Sequence, residues 1–340
     1  MNQLYIAILV ILILNLLLFK FNYEIANKIN LFDLPNRNRK FHKNSTPLNG
    51  GIFYFLNLLI LFFYDYHFNE SIIANFFNQE NEISLVYFFL IIFLLLILGV
   101  VDDKLSLKPL SKTFLSTSLF ISFFMMNYNF QIIELKFENH EKVIDLFEMS
   151  FIFSITCFIV LQISFNMYDG INLQSSIYYK TILLFFLFLG SSIGLKLFCA
   201  FTIIYLIFFS VYNYKTKIFL GDNGIYVFSF IISLIIVRIY NSSDLLHVET
   251  ILILLLYPFL DMIRLFIYRL KKNKNPFEGD RHHLQHILLK KYGLIKANFI
   301  LITPLICSLL LIYIFNLNSL LVLIVNISVY LFLINQKSHD

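Results

Sequence analysis

Residues Ile83 to Val101 read ISLVYFFLIIFLLLILGVV, nineteen positions without a charge, and the run stops on two adjacent carboxylates, Asp102 and Asp103. Wound as an α-helix at about 1.5 Å per residue, such a run is about 28 Å long, close to the thickness of a bilayer's hydrocarbon core. It lacks the polar face that a helix at the surface of a water-soluble domain presents. Apolar runs of the same kind, ended by short polar clusters, fill most of the 340 residues. The chain is 59% hydrophobic and 14% charged, with a mean hydropathy of +0.77. A soluble domain is roughly half apolar and a quarter charged, so the solvent implied here is lipid.

The fold expected is all-α, a polytopic membrane helical bundle forming one integral membrane domain over residues 1–340, with a His-rich loop at 270–296 inside it. Apolar runs place eleven helices near 4–20, 51–65, 83–101, 113–129, 150–165, 176–190, 193–212, 224–240, 248–269, 297–315 and 319–335. Ten is the competing count, because only Gly190, Ser191 and Ser192 separate the sixth run from the seventh. The first run lacks the basic start and small-residue cleavage site of a secretory leader, so it is read as a retained span. Trp is absent, leaving the 20 Tyr to anchor the interfaces and the 41 Phe to fill lipid-facing and inter-helix space. Cys157, Cys199 and Cys307 sit singly in apolar runs without metal-type spacing and read as small buried hydrophobes.

Basic residues orient the bundle. With eleven spans, the odd-numbered connections and the tail hold 22 of the 26 Lys and Arg, leaving Lys136, Lys142, Lys196 and Arg238 for the other side. The positive-inside rule then makes the odd connections cytoplasmic and puts the amino terminus outside. The net charge of +5 is a topogenic and headgroup signal, and no nucleic-acid partner is needed to explain it.

Five polar clusters fall on that cytoplasmic side. The first, Asp33 to His42, carries Arg37, Arg39 and Lys40, followed by Pro47 and the pair Gly50 and Gly51. Basic residues beside glycines at a helix start can hold a phosphate, and they equally describe a topogenic loop with a hinge. The second is Asp102 and Asp103, followed by Lys104, Lys108 and Lys112. Adjacent acids at a helix C-terminus oppose the macrodipole and repel each other, so they call for a cation or a lysine. The third, Asn166 to Asn172, places Asn166 and Asp169 on one face if the helix continues, while Asp169-Gly170 is also a turn signal. In the fourth, Gly221-Asp222-Asn223-Gly224 sets one carboxylate among glycines, suited to a hard dication or to a plain turn. The fifth, Asn275 to His286, contains Arg281 and three of the eight histidines, His282, His283 and His286. No Cys or Glu completes a zinc-type spacing there, so phosphate or nucleotide contact is the better reading.

In order and spacing these clusters resemble the polyprenyl-phosphate N-acetylhexosamine-1-phosphate transferases, a family that takes in WecA-like enzymes and the phospho-MurNAc-pentapeptide translocases. The likeness runs from about Asp33 to His286. Lys40, His42, Pro47, Gly50 and Gly51 match the Arg-Lys-x-His, Pro and Gly-Gly positions, a form closer to the WecA-like branch. Asp102, Asp103 and Lys112 match the acidic pair and a recurrent lysine. Asn166, Asp169 and Gly170 match an Asn-x-x-Asp-Gly element, and Gly221 and Asp222 match the Phe-x-Gly-Asp turn at which the family holds Mg²⁺. Pro258, Asp261, Arg264, Pro276, Phe277, Asp280, Arg281, His283 and His286 match the approach to a His-x-His-His loop. Three positions depart from the pattern: Asn172 replaces a second Asp, Ile225 a small residue, and Gln285 the middle His.

The resemblance implies transfer of an N-acetylhexosamine 1-phosphate, N-acetylglucosamine by default, from a UDP-sugar to undecaprenyl or another polyprenyl phosphate, with UMP released. N-acetylgalactosamine, a deoxy-aminosugar and UDP-MurNAc-pentapeptide are the alternative donors. Asp102, Asp103 and Asp169 would be catalytic. Lys40, His42, Gly50, Gly51, Lys112, Asn166, Arg281, His283 and His286 would bind substrate. Asp222, with Asp102 as second candidate, would hold Mg²⁺ or Mn²⁺. The setting would be the inner or plasma membrane, with a cytoplasmic site and a homodimer left open. A secondary transporter would instead carry its ionisable residues near mid-membrane in repeated halves, and a scaffold would need no aligned acids.

The division of basic residues makes a direct prediction. A cysteine introduced at Asn273 should react with an impermeant maleimide from the cytoplasmic side and one at Asn139 from the opposite side. Reaction of both from one side overturns the span count.

Overall fold

The computed structural model describes residues 2–35, 44–68, 82–138, 143–190, 192–277 and 280–335. The chain is almost entirely helical: α1 (Asn2–Lys20), α2 (Asn22–Ile29), α3 (Gly50–Phe68), α4 (Glu82–Leu105), α5 (Pro109–Met126), α6 (Ser150–Tyr168), α7 (Gln174–Leu189), α8 (Ile193–Tyr214), α9 (Gly221–Ser242), α10 (Val248–Lys271), α11 (Leu284–Tyr292), α12 (Leu294–Tyr313) and α13 (Ser319–Asn335). Two antiparallel strand pairs of two residues each accompany them, β1 (Phe32–Asp33) with β2 (Thr46–Pro47), and β3 (Glu134–Leu135) with β4 (Ile144–Asp145).

Each of the eleven apolar runs coincides with a helix, so the all-α, multi-pass expectation holds. Among the described residues six helices are long and apolar enough to cross a membrane, and a seventh span results if α1 and α2, bent by 66° at Phe21, count as one. Gly50–Asp65, Gln174–Leu189 and Ser319–Asn335 are apolar and shorter. The count of eleven crossings is therefore not reached by length and composition. The sixth and seventh runs are separate helices, and the Ser192 hydroxyl caps the second by accepting from Leu195 N at 3.2 Å. Within the 270–296 loop the sequence reading missed α11, which is too short to show a clear period.

The chain divides into two compact units, and the division falls inside α7 and α9: residues Met1–Asn129 with Tyr179–Ile232, and residues Phe130–Tyr178 with Ser233–Asp340. In the first unit, α3 packs on α1, α4 and α8. Phe228 lies between Tyr54 and Tyr179, stacked at ring-centroid separations of 4.0 and 4.9 Å. Asn15 of α1 and Asn57 of α3 exchange amide hydrogen bonds of 2.7 and 3.1 Å, satisfying two polar groups that an apolar interior would otherwise penalise. In the second unit α10 packs on α6, α12 and α13. The β3–β4 hairpin is tied down there, since Lys136 N donates to Tyr240 Oη at 2.6 Å and Val248 N donates to the Lys136 carbonyl at 2.9 Å. A cavity of about 320 Å³ in this unit is lined almost wholly by apolar side chains, including Phe153, Leu161, Val237, Leu252 and Phe259.

One feature of the first unit sets up the site. The first turn of α9 is seated directly against the backbones of α3 and α4. A Cβ on Gly99 would fall 2.2 Å from Asn223 Cα, and one on Gly51 would fall 2.3 Å from Gly224 N. Both contacts are with backbone, which cannot swing aside. Gly99→Ala should therefore lower the thermal unfolding midpoint markedly, with a loss on the order of 3 kcal/mol from overpacking. Gly293→Ala, at φ +77° with nothing within 4 Å of its Cβ, should cost only ~1–2 kcal/mol of backbone strain. Thermal unfolding of the two variants in the same detergent checks the order.

Candidate active site

Three of the five polar clusters meet in the first unit, around the start of α9. Asp102 and Asp103 end α4, and the chain turns at Ser106 (φ +49°) into α5, which opens on Pro109 and returns Lys112 to the acids. Asp102 is 3% exposed. Its Oδ2 accepts from Lys112 Nζ at 2.9 Å and from Tyr226 Oη at 2.7 Å, and its Oδ1 accepts from Leu107 N at 2.9 Å. Asp103 caps α9 across the helix boundary: its oxygens accept from Asp222 N at 2.9 Å, from Asn223 N at 3.2 Å and from Asn223 Nδ2. The Asp222 and Asn223 backbone donors are orphan N–H groups of a helix N-terminus, and a carboxylate is their best partner. Gly221 reaches this geometry at φ +74°, where a Cβ would also lie 2.7 Å from Asp103 Oδ2. The Asp222 carboxyl lies within hydrogen-bonding reach of Asp102.

Gly50 and Gly51 are used differently from the phosphate-holding expectation. Their N–H groups donate to the Phe219 and Leu220 carbonyls at 3.1 and 3.2 Å, and Phe219 N donates to the Pro47 carbonyl at 2.8 Å. The glycine pair thus locks the segment leading into α9, and those two N–H groups are already engaged. Lys40 and His42 lie outside the described residues.

Charge counting defines what this cluster suits. Asp102, Asp103 and Asp222 face one lysine, Lys112, an excess of negative charge that favours a cation. Among the described residues no group of three or more His, Cys, Asp or Glu is arranged to hold a metal ion. Mg²⁺, however, commonly takes one or two carboxylates and completes its octahedron with phosphate oxygens and water. With Asp103 taken up by the cap, such an ion would have to be held by Asp222 and by Asp102, which itself accepts from Lys112, Tyr226 and Leu107 N.

The other two clusters meet in the second unit. Asp169 follows α6, and its Oδ1 accepts from Ser175 Oγ. Gln285 Nε2 donates to the Met167 carbonyl at 2.9 Å, joining the His loop to this element, and Gly170 leaves the space that Gln285 and His286 occupy. Gln285, where the resembled pattern has His, is thus a buried amide that ties α11 to the end of α6. Asn166 is half-buried near the end of α6. Arg281 is exposed, whereas His283 is buried. His283 Nδ1 meets Asp261 Oδ2 at 2.9 Å, and Arg269 Nη2 approaches its Nε2 at 3.5 Å.

Sequence reasoning missed four residues. Tyr226 stands one helical turn after Asp222, a spacing that could have flagged it. Asn223 could have been flagged as a cap residue beside Asp222. Ser175 is one of a Ser pair opening α7, and Arg269 looked like one more topogenic cation.

Asp169 and His286 are among the groups outside the spans whose acidities are displaced. Burial pushes the Asp169 carboxyl up to about 6, the Ser175 hydrogen bond opposing it. Burial, with the nearby His283 and Arg281, holds the His286 imidazole down to about 4. A carboxyl raised in the fold favours the fold most when protonated. The Asp169 contribution is therefore full below about pH 4 and is lost as pH rises through about 6. His286 has the opposite sense, contributing fully above about pH 6.5 and losing its contribution as pH falls through about 4. Between pH 4.5 and 6.5, Asp169→Asn should make the slope of the unfolding midpoint against pH more positive than in wild type, and His286→Gln should make it more negative. A midpoint profile for Asp169→Asn parallel to wild type would refute the buried-carboxyl assignment.

Comparison with known proteins adds to this geometry. Residues 85–240 match the family described as glycosyl transferase family 4. The chain is 25% identical over 300 residues to an undecaprenyl-phosphate alpha-N-acetylglucosaminyl 1-phosphate transferase of Pasteurella multocida, covering 83% of this chain and 78% of the relative. Similar enzymes of Escherichia coli O157:H7 and Yersinia pestis are 24% and 25% identical, over 83% and 82% of this chain and 76% and 75% of their own lengths. The family match over residues 85–240 and these relatives agree with the motif resemblance, and together they support a sugar-phosphate transferase enzyme.

Proposed function

We propose that the protein transfers N-acetylglucosamine 1-phosphate, or a closely related N-acetylhexosamine 1-phosphate, from a UDP-sugar to a polyprenyl phosphate. It thereby starts a lipid-linked cell-envelope polysaccharide. The observation that carries the reading is the convergence of Asp102, Asp103, Asp222 and Lys112 at the buried start of α9, in a chain similar over four fifths of its length to transferases of this name. An oxygen of the lipid phosphate attacks the sugar-bearing phosphorus. The bond from that phosphorus to the bridging oxygen breaks, and UMP leaves with the electron pair. One diphosphate linkage replaces another, so catalysis consists mainly of aligning two anions and neutralising their charge.

The residues divide this work. Lys112 offers the cluster's fixed positive charge, and Tyr226 and Leu107 N hold Asp102 in a single orientation. Asp103 fixes the first turn of α9 and with it the backbone of Asp222. Asp222 and Asp102 would hold Mg²⁺, or Mn²⁺, which when bound neutralises diphosphate oxygens and the leaving UMP. With a phosphate second pKa of about 6, the lipid phosphate is largely ionised at neutral pH and needs little help from a base. Lys40, His42, Arg281 and His286 are the basic residues assigned to the nucleotide-sugar. The apolar cavity of the second unit, at about 320 Å³, suits part of an isoprenoid chain. We place the chain in the plasma membrane with eleven crossings, its amino terminus outside and the acidic cluster cytoplasmic, on the strength of the basic-residue division.

The test is UMP release from a panel of UDP-sugars on addition of undecaprenyl phosphate to the protein in nanodiscs. Wild type should prefer UDP-N-acetylglucosamine. Asp222→Asn should reduce turnover by orders of magnitude and alter the Mg²⁺ dependence, whereas Asp33→Asn should cost much less. Near-normal turnover with unchanged Mg²⁺ dependence in Asp222→Asn would move the metal site elsewhere.

A further inference from the structure

The His loop of the second unit is built around its interior. Asp261 of α10 is 3% exposed and receives four donors. Arg264 Nη2 reaches its Oδ1 at 2.7 Å, Tyr330 Oη at 3.1 Å and Leu284 N at 3.2 Å, and His283 Nδ1 reaches its Oδ2 at 2.9 Å. Two turns further along α10, Arg269 is 2% exposed. It donates through Nε to Asp280 Oδ2 at 2.9 Å and through Nη1 to the Pro276 carbonyl, and Nη2 approaches His283 Nε2 at 3.5 Å. The loop backbone is pinned as well: His282 N donates to Asp280 Oδ1 at 2.8 Å, and the His282 carbonyl accepts from Arg264 at 2.6 Å.

The consequence for His283 is stereochemical. An imidazole has two ring nitrogens. Here one is held by Asp261, the other faces Arg269, and the residue is only 6% exposed. Its neighbours Arg281 and His282 are exposed, and the His282 ring rests on Tyr268 at 5.2 Å. A buried charge network of this kind holds one geometry because every member is satisfied, and loss of one member strands the others.

We propose that Asp261 and Arg269 are positioning residues and that His283 is the post clamped between them, fixing the loop that presents Arg281 and His282, so that His283 acts without touching substrate. The kinetic part of the test rests on the transferase reading, while the chemical part does not.

The discriminating variants exploit shape. An Asn carboxamide can place its Nδ2 near the position of a histidine Nδ1, whereas a Gln carboxamide reaches toward the position of Nε2. His283→Ala should lower kcat/KM for UDP-N-acetylglucosamine at least tenfold. His283→Asn should recover to within about threefold of wild type by restoring the bond to Asp261, and His283→Gln should resemble Ala. Asp261→Asn combined with His283→Ala should be no worse than the more impaired single variant, as expected for two residues acting as one unit. A Gln variant better than Asn, or an Asn variant no better than Ala at matched thermal stability, would show the ring working through Nε2 on substrate and overturn the proposal. The folded wild-type protein supplies the independent measurement. Diethyl pyrocarbonate, followed by peptide mass spectrometry, should modify His282 readily and His283 far more slowly, with UDP-N-acetylglucosamine slowing modification of His282 only. Equal modification of the two, or nucleotide-sugar protection of His283, would overturn it. If wild type turned over no UDP-sugar, the carbethoxylation pattern would still decide the placement of His283 while the transferase reading alone failed.

Discussion

The first turn of α9 is the constraint on which the first unit depends. Close approaches of backbone to backbone seat it through Gly51 and Gly99, with Gly50 against the two residues before it, and none of them leaves room for a side chain. Close backbone packing of this kind is a strong source of helix association in lipid, where the hydrophobic effect between helices is lost. It also has an electrostatic result. The positive end of the helix is brought to the end of α4, where Asp103 meets its orphan N–H groups and Asp222 rises from its second residue. The acid cluster is thus a product of packing, and its geometry is as rigid as the glycine contacts beneath it.

Satisfying polar groups in a low-dielectric setting explains much of the remainder. Asp102 has three donors, Asp261 has four, and the Asn15–Asn57 pair closes on itself. Each carboxylate would be costly alone and becomes affordable only with these partners. The second unit solves the same problem with two arginines on one helix, Arg264 and Arg269. They bring Asp261, Asp280 and the loop backbone into a connected, charge-compensated network.

This distinction explains what could be read in the sequence and what could not. Helix positions were legible because apolar runs of bilayer length are a physical signal, and all eleven runs fall on helices. The number of crossings was less legible, since Gln174–Leu189 at 16 residues is marginal against a bilayer that needs about 20. The acids of the site were legible by their cost: Asp102 and Asp103 at the end of an apolar helix demand an explanation. Roles were not. Nothing in the pair says that Asp103 caps another helix while Asp102 binds Lys112, because that depends on a contact 119 residues away in sequence. Gly50 and Gly51 looked like an anion cradle, since local sequence cannot reveal that Phe219 and Leu220 occupy their N–H groups. Arg269 was hidden among the basic residues of the loops, although among the described ones it is buried.

A motif therefore mixes two kinds of residue under one pattern. Groups that act on phosphate must remain able to exchange partners during a reaction, whereas groups that hold the site must not. Asp103, Gly51 and His283 are saturated with contacts inside the protein, so chemistry at any of them would require dismantling the fold around it. Arg281 and His282 differ in being exposed, on a backbone fixed by Asp280, Arg264 and Asp261. Rigid backbone beneath exposed basic side chains is the arrangement expected of a phosphate contact, because the entropy of ordering the loop is met in folding and not at binding. Replacement of a saturated residue damages geometry first and chemistry second, so loss of activity on mutation is weak evidence for contact with substrate.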